Sequence, residues 1–353
     1  MMLLTEEDIE KISERILRKL VVNGMEYGPL AHMHAQTQKM VDDVLWYHRV
    51  GDVAFIDKVR LTGPPSQYQP NPTAQGAGNR VTFQAYVFTP KTVEEDSKYP
   101  LIVLPHGGVH SNFNSSAASV VRELISQGYV VAAPEYRGST GYGPQFYKWI
   151  DYGGLECEDT FETRNFVVRN YDFVDAERVG IMGWSHGGLH TLFNVFNHPE
   201  AYKVAHASVP VSDLVARMGY KTQDYRNLFE AEYHIGKSCY DDVAEYRRRS
   251  PAWSVPPYEA GKFPRLLIHT CENDQDVNVL EVEHLIKSLK EKNWEFEYKV
   301  YSATPGAHGF SRLDTRFSKG VRGEVYEFLA EDLRPPGENP LKKYIGTPNP
   351  LEA

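Results

Sequence analysis

Arg178-Val179-Gly180-Ile181-Met182-Gly183-Trp184-Ser185-His186-Gly187-Gly188-Leu189-His190-Thr191-Leu192-Phe193 is the stretch that decides how this chain reads. The run from Val179 to Met182 has the continuous apolar character of a buried strand. Leu189 to Phe196 has helical spacing. Between them stands a serine flanked by glycines two residues away on either side, the pattern of a nucleophile elbow. Such a turn is tight enough to force strained backbone angles on the serine. Side chains at 183 and 187 would clash, hence the glycines. The turn lifts the Ser185 hydroxyl above the sheet. It also sets the N–H of His186 at a helix N-terminus, where the dipole favours a developing oxyanion. The alternative is a glycine-rich strand–helix turn with an idle serine, so the decision rests on partners elsewhere.

Working outward, Leu101–Leu104, Tyr129–Ala133, Ala205–Val211, Leu266–His269 and Phe296–Tyr301 are further short apolar runs. Helical stretches near 115–127, 155–169, 187–197, 279–291 and 318–332 lie between them. This alternation predicts an α/β fold with a mostly parallel central sheet of about eight strands and helices on both faces. Asp52–Leu61 and Val81–Phe88 alternate and are expected to pair antiparallel at a sheet edge. Near the N-terminus, Thr5-Glu6-Glu7-Asp8 caps a helix whose apolar stripe is Ile9, Ile12, Ile16 and Leu20. Residues 27–50 show no clear pattern. His32, His34 and His48 there lack a patterned acidic or cysteine partner, so they are not read as metal ligands.

Three parts are expected: a helix and edge-strand extension over 1–80, a catalytic domain over 81–335, and a Pro/Gly/Asn-rich tail over 336–353 lying extended on the surface. Residues 212–260 interrupt the alternation with many aromatics, among them Tyr225 and Phe229. An insert on the C-terminal side of the nucleophile is where an α/β enzyme builds a helical cap over its pocket. Ordinary core aromatics are the competing reading of the same residues.

The 353 residues suffice for one large domain, and 41% hydrophobic content supports a core. A net charge of −9 argues against nucleic acid or an anionic membrane as partner. Cys157, Cys239 and Cys271 are too few and too widely spaced for a disulfide framework or a zinc motif. The N-terminus does not read as a signal peptide, so a cytoplasmic location is expected. No metal and no cofactor are expected, and oligomeric state is left open.

A nucleophilic serine needs a base, and the base needs an orienting acid. In sheets carrying such an elbow, these follow in the order acid, then histidine, on loops after later strands. His308, in Thr304-Pro305-Gly306-Ala307-His308-Gly309-Phe310, follows the last strand and fits. His186 adjoins the serine, but its side chain points away from the hydroxyl. Asp274 and Asp276 both lie in the loop before, and spacing alone does not separate them. A second oxyanion donor is expected from His106-Gly107-Gly108, after Leu101–Pro105, where two glycines let the backbone approach a substrate oxygen.

Together His106-Gly107-Gly108, Tyr136-Arg137-Gly138-Ser139-Thr140-Gly141-Tyr142-Gly143, the Ser185 elbow and the Asp274 and His308 loops resemble the prolyl oligopeptidase family (peptidase family S9) of the α/β-hydrolase fold. The resemblance covers residues from about 80 to 335. It implies Ser185, Asp274 and His308 as the catalytic triad, since the family's acid stands three residues before a Val or Thr, here Val277. It implies the N–H groups of Gly108 and His186 as oxyanion donors. Tyr136, Trp184, Tyr225 and Phe229 are the candidate substrate contacts. Val109, Cys271 and Asn278 depart from the family's usual Pro, Gly and Pro. The family's peptidases also carry a β-propeller, for which the roughly 80 residues ahead of the catalytic domain are too few. The expectation is therefore a serine hydrolase acting on a small ester, with short peptides or aminoacyl amides as the alternative substrates. A catalytically silent binding module is the rival from another class, and the complete triad argues against it.

Overall fold

The computed structural model describes residues 28–69, 71–94 and 96–352. The helix expected over Thr5–Leu20 lies outside the described residues. The first described element is helix α1, Pro29–Val50, with a proline in its first turn. Its buried stripe is His32, Ala35, Lys39, Trp46 and Val50. The spacing is helical, but two of the five are polar, so hydrophobic periodicity could not reveal it.

Strands β1 (Ala54–Pro65), β2 (Arg80–Pro90) and β3 (Tyr99–Val103) follow, then α2 (Ala118–Ser126) and β4 (Val130–Glu135). Next come α3 (Pro144–Lys148), α4 (Leu155–Asn170), β5 (Val174–Trp184), α5 (His186–Asn197) and β6 (Val204–Ser208). Helices α6 (Leu214–Tyr220), α7 (Gln223–Glu230) and α8 (Val243–Arg248) form the insert between β6 and β7 (Arg265–Cys271). The chain then runs through α9 (Val279–Glu291), β8 (Glu297–Tyr301) and α10 (Arg316–Leu333).

The eight strands form one sheet in the order β1-β2-β4-β3-β5-β6-β7-β8. β1 pairs antiparallel with β2, and β2 with β4; every pairing from β4 to β8 is parallel. This is the α/β-hydrolase fold. β3, β4 and β6 are buried at every position, which explains the apolar runs Leu101–Val103 and Val130–Ala133; β6 buries His206 and Ser208 along with its apolar residues. Side chains alternate between faces. Leu101, Val103, Val130 and Ala132 join a cluster with residues of α4, α5 and α9. Ile102, Val131 and Ala133 join the opposite cluster, with Trp46, α2 and α10. Phe229, Tyr233 and Tyr246 of the insert are buried in the first cluster, so the insert packs as part of the core.

The tail is not simply extended. It makes a 3₁₀ turn at Lys342–Tyr344 and buries Leu341 in the cluster containing α10 residues. Asn339 donates to the Gly323 carbonyl (2.9 Å) and Asn349 to that of Ala303 (2.5 Å). No described helix is long and apolar enough to cross a membrane.

Candidate active site

The end of β5 delivers Ser185 into the turn at φ 59°, ψ −120°. An L-residue holds such angles only where its surroundings over-determine them. Here Ser185 N–H donates to the Ser208 carbonyl (3.0 Å), and its own carbonyl accepts from Leu189 and Val211 (3.1 Å each). The glycines have the steric reason foreseen. A Cβ on Gly183 would stand 2.2 Å from the Gly187 carbonyl oxygen, and one on Gly187 2.3 Å from that of Pro105.

The segment after β3 lies against this turn. His106 is buried, with Nε2 2.9 Å from Ser139 Oγ and Nδ1 3.0 Å from the Tyr136 hydroxyl. The same hydroxyl lies 2.9 Å from the His106 carbonyl and 3.2 Å from that of Gly108. Burial pushes the His106 imidazole down to about 3, so it is neutral at physiological pH. The Tyr136–Ser139 stretch therefore holds the His-Gly-Gly loop in place. It is itself fixed by a buried bidentate pair of Arg137 with Asp159 of α4 (2.8 and 2.7 Å). Among the described residues, neither the Gly108 N–H nor the His186 N–H donates to a protein acceptor. Both are open to a developing oxyanion.

His308 sits in a 3₁₀ turn, Ala307–Gly309, after β8. Its Nδ1 is 2.7 Å from Asp274 Oδ2. Asp274 is buried, and its other oxygen accepts from the N–H groups of Asp276 (2.8 Å) and Val277 (2.9 Å). Asp276 lies on the far side of the ring, its Oδ2 3.4 Å from His308 Nε2. It also contacts Lys221 (2.6 Å) and Arg217 (3.3 Å). Burial works to raise its carboxyl, and the two cations outweigh that and hold it below its ordinary value. Thus Asp274 takes Nδ1 and Asp276 stands at Nε2. Among the described residues no hydrogen bond links Ser185 Oγ to His308. That bond commonly tightens only when substrate arrives.

A pocket of about 390 Å³ opens beside the elbow. Gly107, Trp184 and Gly309 line it, so it touches the neighbours of the oxyanion loop, the serine and the histidine. Leu104, Phe113 and Val120 contribute apolar lining, and Arg312 lines it as well. Of the four candidate substrate contacts, only Trp184 lines this pocket, with its Nε1 donating to Ser311 Oγ (2.8 Å). Tyr136 and Phe229 expose none of their surface. Tyr136 positions the loop, and Phe229 packs against Tyr152 and His234. Tyr225 accepts from Arg217 Nε (2.8 Å).

Several contributors escaped sequence reasoning. Arg217 of the insert reaches the Asp276 carbonyl and Glu281 of α9 (3.0 Å each), tying the insert to the acid loop. Lys39 of α1 pairs with buried Glu135 (2.6 Å), whose other oxygen accepts from Phe113 N–H (3.2 Å) in the pocket wall. A lysine among helix residues and a lone glutamate ending a strand carry no local signal of such pairings. The histidine pair His186 and His190 did carry one, a spacing of four in the sequence. Both rings turn inward, beside Glu156.

A family model described as the prolyl oligopeptidase family matches residues 113–335. The human acylamino-acid-releasing enzyme is 26% identical over 261 residues, 72% of this chain and 34% of its own length. Among solved structures, the acylaminoacyl peptidase of Pyrococcus horikoshii superposes with a TM-score of 0.63 at 19% identity, covering 83% of this chain and 44% of that one. A puromycin-hydrolyzing peptidase of Mycobacterium tuberculosis gives 0.62 at 22% identity, with coverages of 79% and 39%. The chain thus spans about a third of the curated relative's length and less than half of either solved chain.

Proposed function

The chain belongs to the prolyl oligopeptidase family and is a serine hydrolase; on that premise we propose that it is a peptidase cleaving short peptides or acylated aminoacyl amides. The observations that carry the mechanism are the Asp274–His308 pair and a serine held at φ 59° at the strand–helix turn. Ser185 Oγ attacks the carbonyl carbon. His308 Nε2, released from Asp276, accepts the hydroxyl proton and then protonates the departing amine. Asp274 keeps the other ring proton on Nδ1 and stabilises the imidazolium. The N–H groups of Gly108 and His186 receive the oxyanion, and water then hydrolyses the acyl-enzyme. The 390 Å³ pocket accommodates a single apolar side chain or acyl group.

Sequence alone ranked esters first. The relatives move the peptide bond ahead, because the human relative is an acylamino-acid-releasing enzyme. The test pairs an N-acetyl-aminoacyl arylamide with the matched aryl ester on one preparation, with Ser185→Ala as blank. Arylamide turnover by wild type is expected, falling on the order of 10⁴-fold or more in Ser185→Ala, together with fluorophosphonate labelling of Ser185. Ester hydrolysis without arylamide turnover overturns the peptidase reading. Absence of labelling overturns the assignment of Ser185.

A further inference from the structure

His186 and His190 stand four residues apart on α5 and therefore on one helix face, one turn apart. Both are buried, at 2% and 0% exposure. Helix α4 crosses this face and sets Glu156 against it. One donor atom from each of the three residues lies within 4.8 Å of the other two. The carboxylate Oε1 is 3.6 Å from His186 Nε2, too far for a hydrogen bond. Neither nitrogen of His186 has a hydrogen-bond partner, and neither does Nε2 of His190. Buried polar atoms are almost always paired, so two imidazoles with orphaned ring nitrogens beside one carboxylate require an explanation.

Around these atoms stand outer contacts of the kind that orient metal ligands. Nδ1 of His190 is 2.7 Å from Thr160 Oγ1, which leaves Nε2 as the free lone pair when Nδ1 carries the proton. The Glu156 carboxylate accepts from the N–H groups of Gly153 (2.5 Å) and Gly154 (3.0 Å).

We propose that Glu156, His186 and His190 form a binding site for a divalent transition-metal ion, with Zn²⁺ the ion that best suits the donor set. Two borderline imidazoles with one hard carboxylate are a set that Zn²⁺ accepts, and a helical His pair at i, i+4 is an established way to present the two nitrogens. Ligation at about 2.0–2.1 Å requires the donors to draw together to about 3.4 Å, a contraction within reach of side-chain rotation. A divalent cation takes one lone pair from each imidazole and compensates the buried carboxylate. It ties α4 to the first turn of α5, the turn whose leading N–H is the proposed oxyanion donor, so the ion braces the start of the helix that follows Ser185. It is not a reactant: Glu156, His186 and His190 are buried, and none of the three lines the pocket beside Ser185.

The experiment measures metal content of the purified chain after exposure to micromolar Zn²⁺ and gel filtration, with melting temperature before and after chelation. About one zinc per chain is expected, with a melting temperature that falls when the chelator removes it. Replacement by Co²⁺ should give the visible bands of a low-coordinate cobalt site with nitrogen and oxygen donors. Glu156→Gln and His190→Gln should each retain less than a tenth of the wild-type zinc. Should either variant fail to fold, the cobalt spectrum and chelator-dependent melting of the wild-type chain decide alone. Wild-type protein that retains neither ion and melts identically with and without chelator overturns the proposal. So do folded variants that hold as much zinc as wild type.

Discussion

Asp274→Asn and Asp276→Asn separate two carboxylates that face opposite nitrogens of one imidazole. Asp274 Oδ1 accepts from two backbone donors, the N–H groups of Asp276 and Val277 (2.8 and 2.9 Å). An asparagine at 274 must keep its carbonyl oxygen there, so its NH₂ takes the place of Oδ2 at 2.7 Å from His308 Nδ1. A donor at that position accepts no proton from the ring. The imidazole proton moves to Nε2, and the ring can no longer act as base toward Ser185. Triads disabled through the wrong tautomer lose about 10⁴ in turnover, equivalent to about 5.5 kcal/mol. Asp276 differs. Its side chain is 49% exposed, is shared with Lys221 and Arg217, and meets Nε2 only at ion-pair distance. Interactions of that kind contribute about 1 kcal/mol or less, so Asp276→Asn should change kcat by no more than about fivefold. The assay is kcat and kcat/KM for both variants on one acylated arylamide, with thermal melting to establish that each is folded. A separation of about 10³ between the variants is expected. Equal losses, or the larger loss in Asp276→Asn, refute the reasoning and transfer the acid's role to Asp276.

Lys39→Met should destabilise the fold by about 3–5 kcal/mol, because it strands a buried carboxylate at Glu135; urea unfolding reads it, and an unchanged midpoint refutes the pair's importance. Phe229→Ala should lower stability by about 3–5 kcal/mol with little change in KM, since the ring is wholly buried; the opposite result returns Phe229 to the substrate pocket. Acid should unfold the protein early. Burial drives His106 and His269 down to about 3 and His110 to about 4, so the folded state refuses protons that the unfolded chain binds. Their contribution is complete above about pH 6.5 and lost as pH falls through that value toward the folded pKa values, by about 2 kcal/mol each near pH 5. A melting temperature constant from neutral pH down to about pH 5 contradicts this.

The α/β-hydrolase fold was legible because its evidence is local. Leu101–Val103 and Val130–Ala133 are buried on both faces, and a strand so placed is apolar along its length. The elbow was legible for the same reason. Gly183 and Gly187 lie within one turn of Ser185, and their clash is decided by backbone geometry alone. His308 and the aspartate loop followed from chain order after consecutive strands. The identity of the acid did not follow from spacing, since Asp274 and Asp276 differ by two positions in one loop. Only the folded loop sets one carboxylate at Nδ1 and the other at Nε2. The roles of the aromatics also waited on the fold. Tyr136, Trp184, Tyr225 and Phe229 look alike as residues near a site, and only packing makes one a pocket wall and two others interior. Likewise, Lys39 with Glu135, Arg217 with Glu281, and Glu156 with His186 and His190 join residues from separate elements. A residue's own sequence determines which backbone it can form and whether it tolerates burial. Which charge or lone pair it meets there depends on elements far along the chain, and only the tertiary structure brings those together.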